Sequence, residues 1–217
     1  MQYFKGMLKS GILLCLLILA ACSSVDKKDP VEDTPAEGQV EGAEAPFVLI
    51  PNPYQPGSVP GPAKQEYSRI KQLMLAKKWQ QAQGMLALMV ETYPKLSGPY
   101  INLGITHHML GEFEKAEQAL TFAIETNPQN LDAYTRLGLL LRELGRFEEA
   151  EATYLKALKI WPHHLPSTTN LGILYDLYMG RFDDALVYYE LSQQIAGGED
   201  RQLKGWIIDL KRRIGSQ

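Results

Sequence analysis

Two pairs of adjacent histidines, His107-His108 and His163-His164, are the residues of this 217-residue chain best suited to hold a metal ion. Neighbours on a helix project roughly 100° apart and chelate one ion poorly, and His163-His164 follow Pro162 in a turn between helical stretches. Paired carboxylates would be the groups for general acid–base work. Glu112, Glu114, Glu148, Glu149, Asp183 and Asp184 all open helical stretches, where a negative charge complements the positive end of the helix dipole. Thiol chemistry is confined to Cys15 and Cys22. No G-x-S-x-G, G-x-x-x-x-G-K, H-E-x-x-H or calcium-loop pattern occurs. The residues therefore predict no catalytic site, no metal and no cofactor. From Pro46 onward 18 basic side chains balance 18 acidic ones, so the electrostatic footprint of a nucleic-acid binder is missing as well.

What must be positioned is then a surface, and the elements that position it repeat. The chain writes NLGI at Asn102–Ile105 and again at Asn170–Ile173. Half that separation lands on Leu137-Gly138, which fixes a frame of 34 residues from Ser97. Frame position 8 is Gly104, Gly138 and Gly172, position 20 is Ala82, Ala116 and Ala150, and position 32 is Pro94, Pro128 and Pro162. Each unit reads as two amphipathic helices. Glycine at 8 and alanine at 20 lack bulk and let the paired helices approach closely. Gly111, Gly145 and Gly180 suit a turn that needs positive φ, Phe113, Phe147 and Phe182 follow to plug the space beneath it, and the prolines stop the second helix. No unit can cover its own apolar face, so neighbours must stack.

The recurring Leu-Gly, Ala, aromatic and Pro offsets resemble the tetratricopeptide repeat. The resemblance implies an all-α superhelix of about four helix pairs (63–96, 97–130, 131–164 and 165–199), closed by a capping helix over 200–217 and preceded by a disordered linker. Two departures stand out. The first unit has Arg69-Ile70 for Leu-Gly and Lys77 for the turn glycine. The fourth carries one extra residue between Gly172 and Gly180, which is expected to lengthen or bulge its first helix. Leu203, Trp206, Ile207, Leu210 and Ile214 form one apolar stripe on the capping segment, with Asp209, Lys211, Arg212 and Arg213 opposite. His107 falls where the repeat buries an aromatic, which makes packing its expected role.

In the repeat family the first helices line a concave groove that holds a protein partner. Carried onto this chain, the groove residues are Tyr67, Lys71, Ile101, Asn102, Ile105, His108, Thr135, Arg136, Leu139, Arg142, Thr169, Asn170, Ile173 and Asp176. Ile105, Leu139 and Ile173 form an aliphatic row that either faces the groove or packs between units. The carboxylate clamp for acidic C-terminal tails is matched only by Asn102 and Arg136, and Tyr67, Lys71 and Asp132 do not fit it. A helical or extended apolar segment, hydrogen-bonded to Asn102 and Asn170, is the expected ligand.

The front of the chain concerns placement. Lys5 and Lys9 precede the apolar run Gly11–Ala21, too short to span a bilayer and of secretory-signal length. It ends in Leu19-Ala20-Ala21-Cys22, which resembles the lipobox of bacterial lipoproteins. That resemblance implies cleavage of 1–21, lipidation of Cys22 and, with Ser23 next, export to the outer membrane. Residues 22–62 read as a tether, acidic up to Ala45 and holding six prolines between Pro46 and Pro62, which favours extended backbone. Its apolar knot Phe47–Ile50 is suited to dock on the folded domain or on a partner. Taken together, the expectation is a lipid-anchored periplasmic adaptor facing an unidentified protein. Its architecture is similar to that of the tetratricopeptide lipoproteins of pilus assembly and of murein-hydrolase docking. A regulator or inhibitor of a cell-wall enzyme and a structural self-oligomer are the alternatives, and the oligomeric state is left open.

Overall fold

A computed structural model describes residues 47–54 and 57–216. Residues 1–46, which hold the expected signal segment, Cys22 and the acidic half of the expected tether, lie outside the described residues. The helices are α1 (Gly61–Leu75), α2 (Trp79–Thr92), α3 (Ser97–Met109), α4 (Phe113–Thr126), α5 (Leu131–Glu143), α6 (Phe147–Ile160), α7 (Leu165–Leu174, continued by a π-helical turn at Tyr175–Met179), α8 (Phe182–Ile195) and α9 (Arg201–Gly215). There is no strand among the described residues. Consecutive helices pack on one another, and α5 also touches α3 and α7. First helices that meet their own kind lie on the inner side of the stack.

Close approach within each hairpin is set by the small residues. A Cβ on Gly104 would lie 2.6 Å from Leu120 Cγ, and one on Gly172 would lie 2.7 Å from Tyr189 Cδ1. At Gly138 it would collide with the ring of Tyr154, which is fully buried. Ala116, Ala150 and Ala185 answer from the second helices with no exposed surface. The first hairpin does this differently. Ile70 stands in the glycine position and is buried with Leu86 in a cluster of its own. The degenerate unit is thus a real helix pair, packed side chain to side chain rather than side chain to glycine.

The turns follow one rule. Gly111 and Gly145 sit at φ 76° and 75°, and the N–H groups of Glu112 and Arg146 reach back to the carbonyls of His107 and Leu141. The extra residue of the fourth unit is absorbed before its turn: Arg181 N bonds Tyr175 O, six residues back instead of five, and the helix widens to a π turn. Lys77 holds the same left-handed conformation at φ 55° without being glycine. A side chain there costs about 1 kcal/mol, so Lys77→Gly is expected to raise the stability of the first hairpin by roughly that amount. Urea unfolding of the variant checks it, and an unchanged or lowered midpoint would contradict it.

The last helix closes the stack. Asp200 caps α9 through bonds from Gln202 N (2.8 Å) and Leu203 N (3.0 Å). Leu203 and Leu210 are buried, and Trp206, Ile207 and Ile214 pack on the same cluster as Tyr154 and Tyr189. Pro94, Pro128 and Pro162 each stand two residues beyond the end of α2, α4 and α6.

Candidate protein-binding groove

The inner helices carry the fourteen expected groove residues, but they do not present them alike. Leu139 is half-buried on α5 and belongs to none of the core clusters. Ile105 and Ile173, its counterparts on α3 and α7, are also half-buried, yet each packs partly against a core cluster. The aliphatic row therefore serves both groove and core, with Leu139 the member most given to the groove. Lys71 and Arg136 are exposed and enter no ion pair among the described residues.

The amides are oriented by their own helices. Asn102 Nδ2 donates to Tyr67 Oη (2.7 Å) and to the Gly98 carbonyl (2.8 Å). Asn170 Nδ2 donates to the Pro166 carbonyl (2.8 Å), and its Oδ1 is approached by Arg142 Nη1 at 3.4 Å. With donors tied inward, Asn102 offers a ligand its carbonyl oxygen. Arg142 also lies 5.4 Å from the Tyr178 ring centroid, a cation–π contact. His108 Nε2 pairs with Glu143 Oε2 at 2.7 Å, joining α3 to the end of α5. Thr169 is half-buried and donates to Ser192 Oγ at 3.1 Å.

Three expected groove residues are turned into packing. Ile101 is buried in the α3–α5 cluster. Thr135 is buried, bonding the Leu131 carbonyl (3.2 Å) and lying 3.3 Å from Ser167 Oγ. Asp176 is buried and pairs with Arg213 Nη2 of α9 at 2.6 Å, while Tyr189 Oη donates to it at 3.2 Å. The bond to Asp176 holds the Arg213 guanidinium above its ordinary pKa, and burial raises that of Tyr189. A frame of 34 residues cannot foresee a partner from the capping helix.

Two cavities lie along this side. One, of about 320 Å³, is lined by Ile173, Leu177, Trp206 and the Asp176–Arg213 pair. The other, of about 650 Å³, lies between the tether residues Tyr54 and Val59 and the side chains of Lys64, Tyr67, Leu96 and Asn130. The sequence places Trp206 only in the apolar stripe of the capping helix and Arg213 only on its outer face. Arg213 instead turns in to Asp176, and no repeat position encodes either residue or the wall formed by residues 54 and 57–59.

The histidines separate as packing groups. His107 Nδ1 lies 2.5 Å from Glu112 Oε2, and Gln83 Nε2 bonds the same oxygen at 2.8 Å. That contact with His107 is the chief reason Glu112 titrates below the usual carboxylate range. His164 is buried against Ser167 Oγ at 2.9 Å, and burial lowers its pKa, with Asp132 opposing. Among the described residues no group of three or more His, Cys, Asp or Glu could hold a metal ion.

Family models of the tetratricopeptide repeat match residues 98–130 and 129–198. Residues 98–198 are built of tetratricopeptide repeats. Solved structures of similar fold include TTC0263, a thermophilic repeat protein of Thermus thermophilus (24% identity, 68% of this chain and 80% of that one, TM-score 0.60). Pseudomonas aeruginosa pilF aligns at 20% identity over 71% of this chain and 69% of that one, with TM-score 0.63. YrrB, described as a repeat protein with an unusual peptide-binding site, aligns at 20% identity over 69% of this chain and 74% of that one, with TM-score 0.55. No curated protein matches the chain. The tetratricopeptide matches begin at the second hairpin, in keeping with the Ile70-for-glycine packing of the first. Such repeats are in general non-enzymatic scaffolds for protein–protein interaction.

Proposed function

We propose that this chain is a lipid-anchored periplasmic adaptor that holds a protein partner on its inner helices and serves in assembly of an envelope complex. The observation that carries the reading is Leu139, an aliphatic side chain outside every core cluster, flanked by exposed Arg136 and by Arg142 and Asn170. An apolar centre with a polar rim is the anatomy of a protein-binding surface. The peptide-binding site named for YrrB fits the same use of the fold. No helix of the described residues is long and apolar enough to cross a membrane. The anchor in this reading is Cys22, on the lipobox-like run Leu19-Ala20-Ala21-Cys22. Three acyl chains on that cysteine exceed what stable anchoring needs.

Chemical crosslinking in intact cells, followed by purification of the chain and mass spectrometry, tests the adaptor reading. One envelope protein enriched over all others is the expected result, and cleavage of peptidoglycan by the purified chain would end the reading. Cys22→Ser tests the anchor independently. The variant is expected to move from the outer-membrane fraction to the soluble periplasm, and continued sedimentation with outer membranes would remove the lipid from the account.

A further inference from the structure

Phe47–Ile50 lies on the corner between α6 and α7, more than a hundred residues away in sequence. Ile50 N donates to His163 Nδ1 at 2.6 Å, and Trp161 Nε1 donates to the Ile50 carbonyl at 2.8 Å. Both backbone groups of one residue are thus taken by two side chains. Ile50 precedes Pro51, and a residue before proline is held extended. In extended backbone the N–H and C=O of one residue point to the same side, as in a hydrogen-bonded strand pair. His163 as acceptor and Trp161 as donor reproduce one residue of a strand edge. Phe47 adds a ring contact, 5.0 Å between its centroid and that of His163.

We propose that Trp161 and His163 form a clamp for extended peptide backbone, and that its occupant in the working complex is an uncharged, extended segment of a partner protein with an aromatic residue three positions before the clamped one. Phe47–Ile50 is the resident competitor. Its side chains remain 41, 73, 51 and 47% exposed, so the hold is chiefly on the Ile50 backbone, which any extended chain presents, with the Phe47 ring contact added. The site lies at the α6–α7 corner, apart from the Leu139 row, and its occupation by a partner rests on the adaptor reading proposed above.

The test uses the full chain and a labelled peptide of residues 45–54. The substitutions Phe47→Ala and Ile50→Pro empty the clamp by removing the ring and the N–H. The peptide is expected to bind the emptied chain and to bind the intact chain about tenfold more weakly, because the tethered segment competes at an effective concentration of order millimolar. His163→Leu in the emptied chain should abolish binding. So should N-methylation of the peptide at its isoleucine, which leaves the protein untouched. Equal binding to both chains, no binding to the emptied chain, or binding that survives N-methylation would each overturn the clamp. An intact chain that sediments as a dimer through this segment would make a second copy the occupant and sink the proposal as stated.

Discussion

Gly138→Val is expected to destabilise the fold by about 3 kcal/mol, at the upper end of the cost of overpacking a core. The added Cβ would collide with three atoms of the Tyr154 ring, and the γ-methyls would drive further into it. Tyr154 has no exposed surface and no room to retreat, since it sits in one cluster with Leu141, Leu171 and Tyr175. The loss should fall in the middle of the stack, where each hairpin depends on its neighbours. Gly84 supplies the control: it is also helical, and a Cβ there meets nothing within 4 Å. Gly84→Ala should therefore be neutral or stabilising by up to about 1 kcal/mol. Tyr154→Ala should cost about 3–5 kcal/mol alone, yet make the valine at 138 nearly free. Denaturant unfolding of the four variants reads this cycle. Equal losses at 138 in the two backgrounds would show that the tyrosine ring is not what the glycine makes room for.

Leu139→Glu is expected to weaken partner capture by roughly 100-fold while leaving helical circular dichroism unchanged, as for a central apolar contact replaced by a charge. Ile105→Glu should weaken capture too, but at a cost in stability, because Ile105 leans on the α3–α5 cluster. The contrast between the two positions separates groove from core. If both variants lose helicity together, the aliphatic row is core. If Leu139→Glu captures the partner normally, the inner helices are not the docking surface.

The hairpins were legible because close packing imposes a fixed residue at a fixed offset. Gly104, Gly138, Gly172 and the alanines facing them need no tertiary knowledge to be read. The turn at Gly180 was legible in the same way, and the one-residue slip before it emerges as the π turn at Tyr175–Met179. The groove was legible only as a face. Frame position places Ile101, Thr135 and Asp176 on the inner helices. Whether each meets solvent depends on neighbours that its own frame position does not name, such as Ser167 on the first helix of the next unit and Arg213 on the capping helix. The clamp at Trp161 and His163 was the least legible. Its ligand comes from an irregular segment with no period, and the two hydrogen bonds depend on that segment's backbone direction rather than on its side chains. The signal present in the sequence was an apolar knot that needed a cover, next to prolines that keep it extended.

A photo-activated crosslinking residue placed at position 139, with a second chain carrying it at Phe122 on α4, tests the central claim most directly. Phe122 is 54% exposed and lies on a second helix, away from the inner row. Irradiation of intact cells should yield one dominant adduct from position 139 and none of the same mass from position 122. An adduct of that mass formed from position 122 and not from 139 would contradict the account.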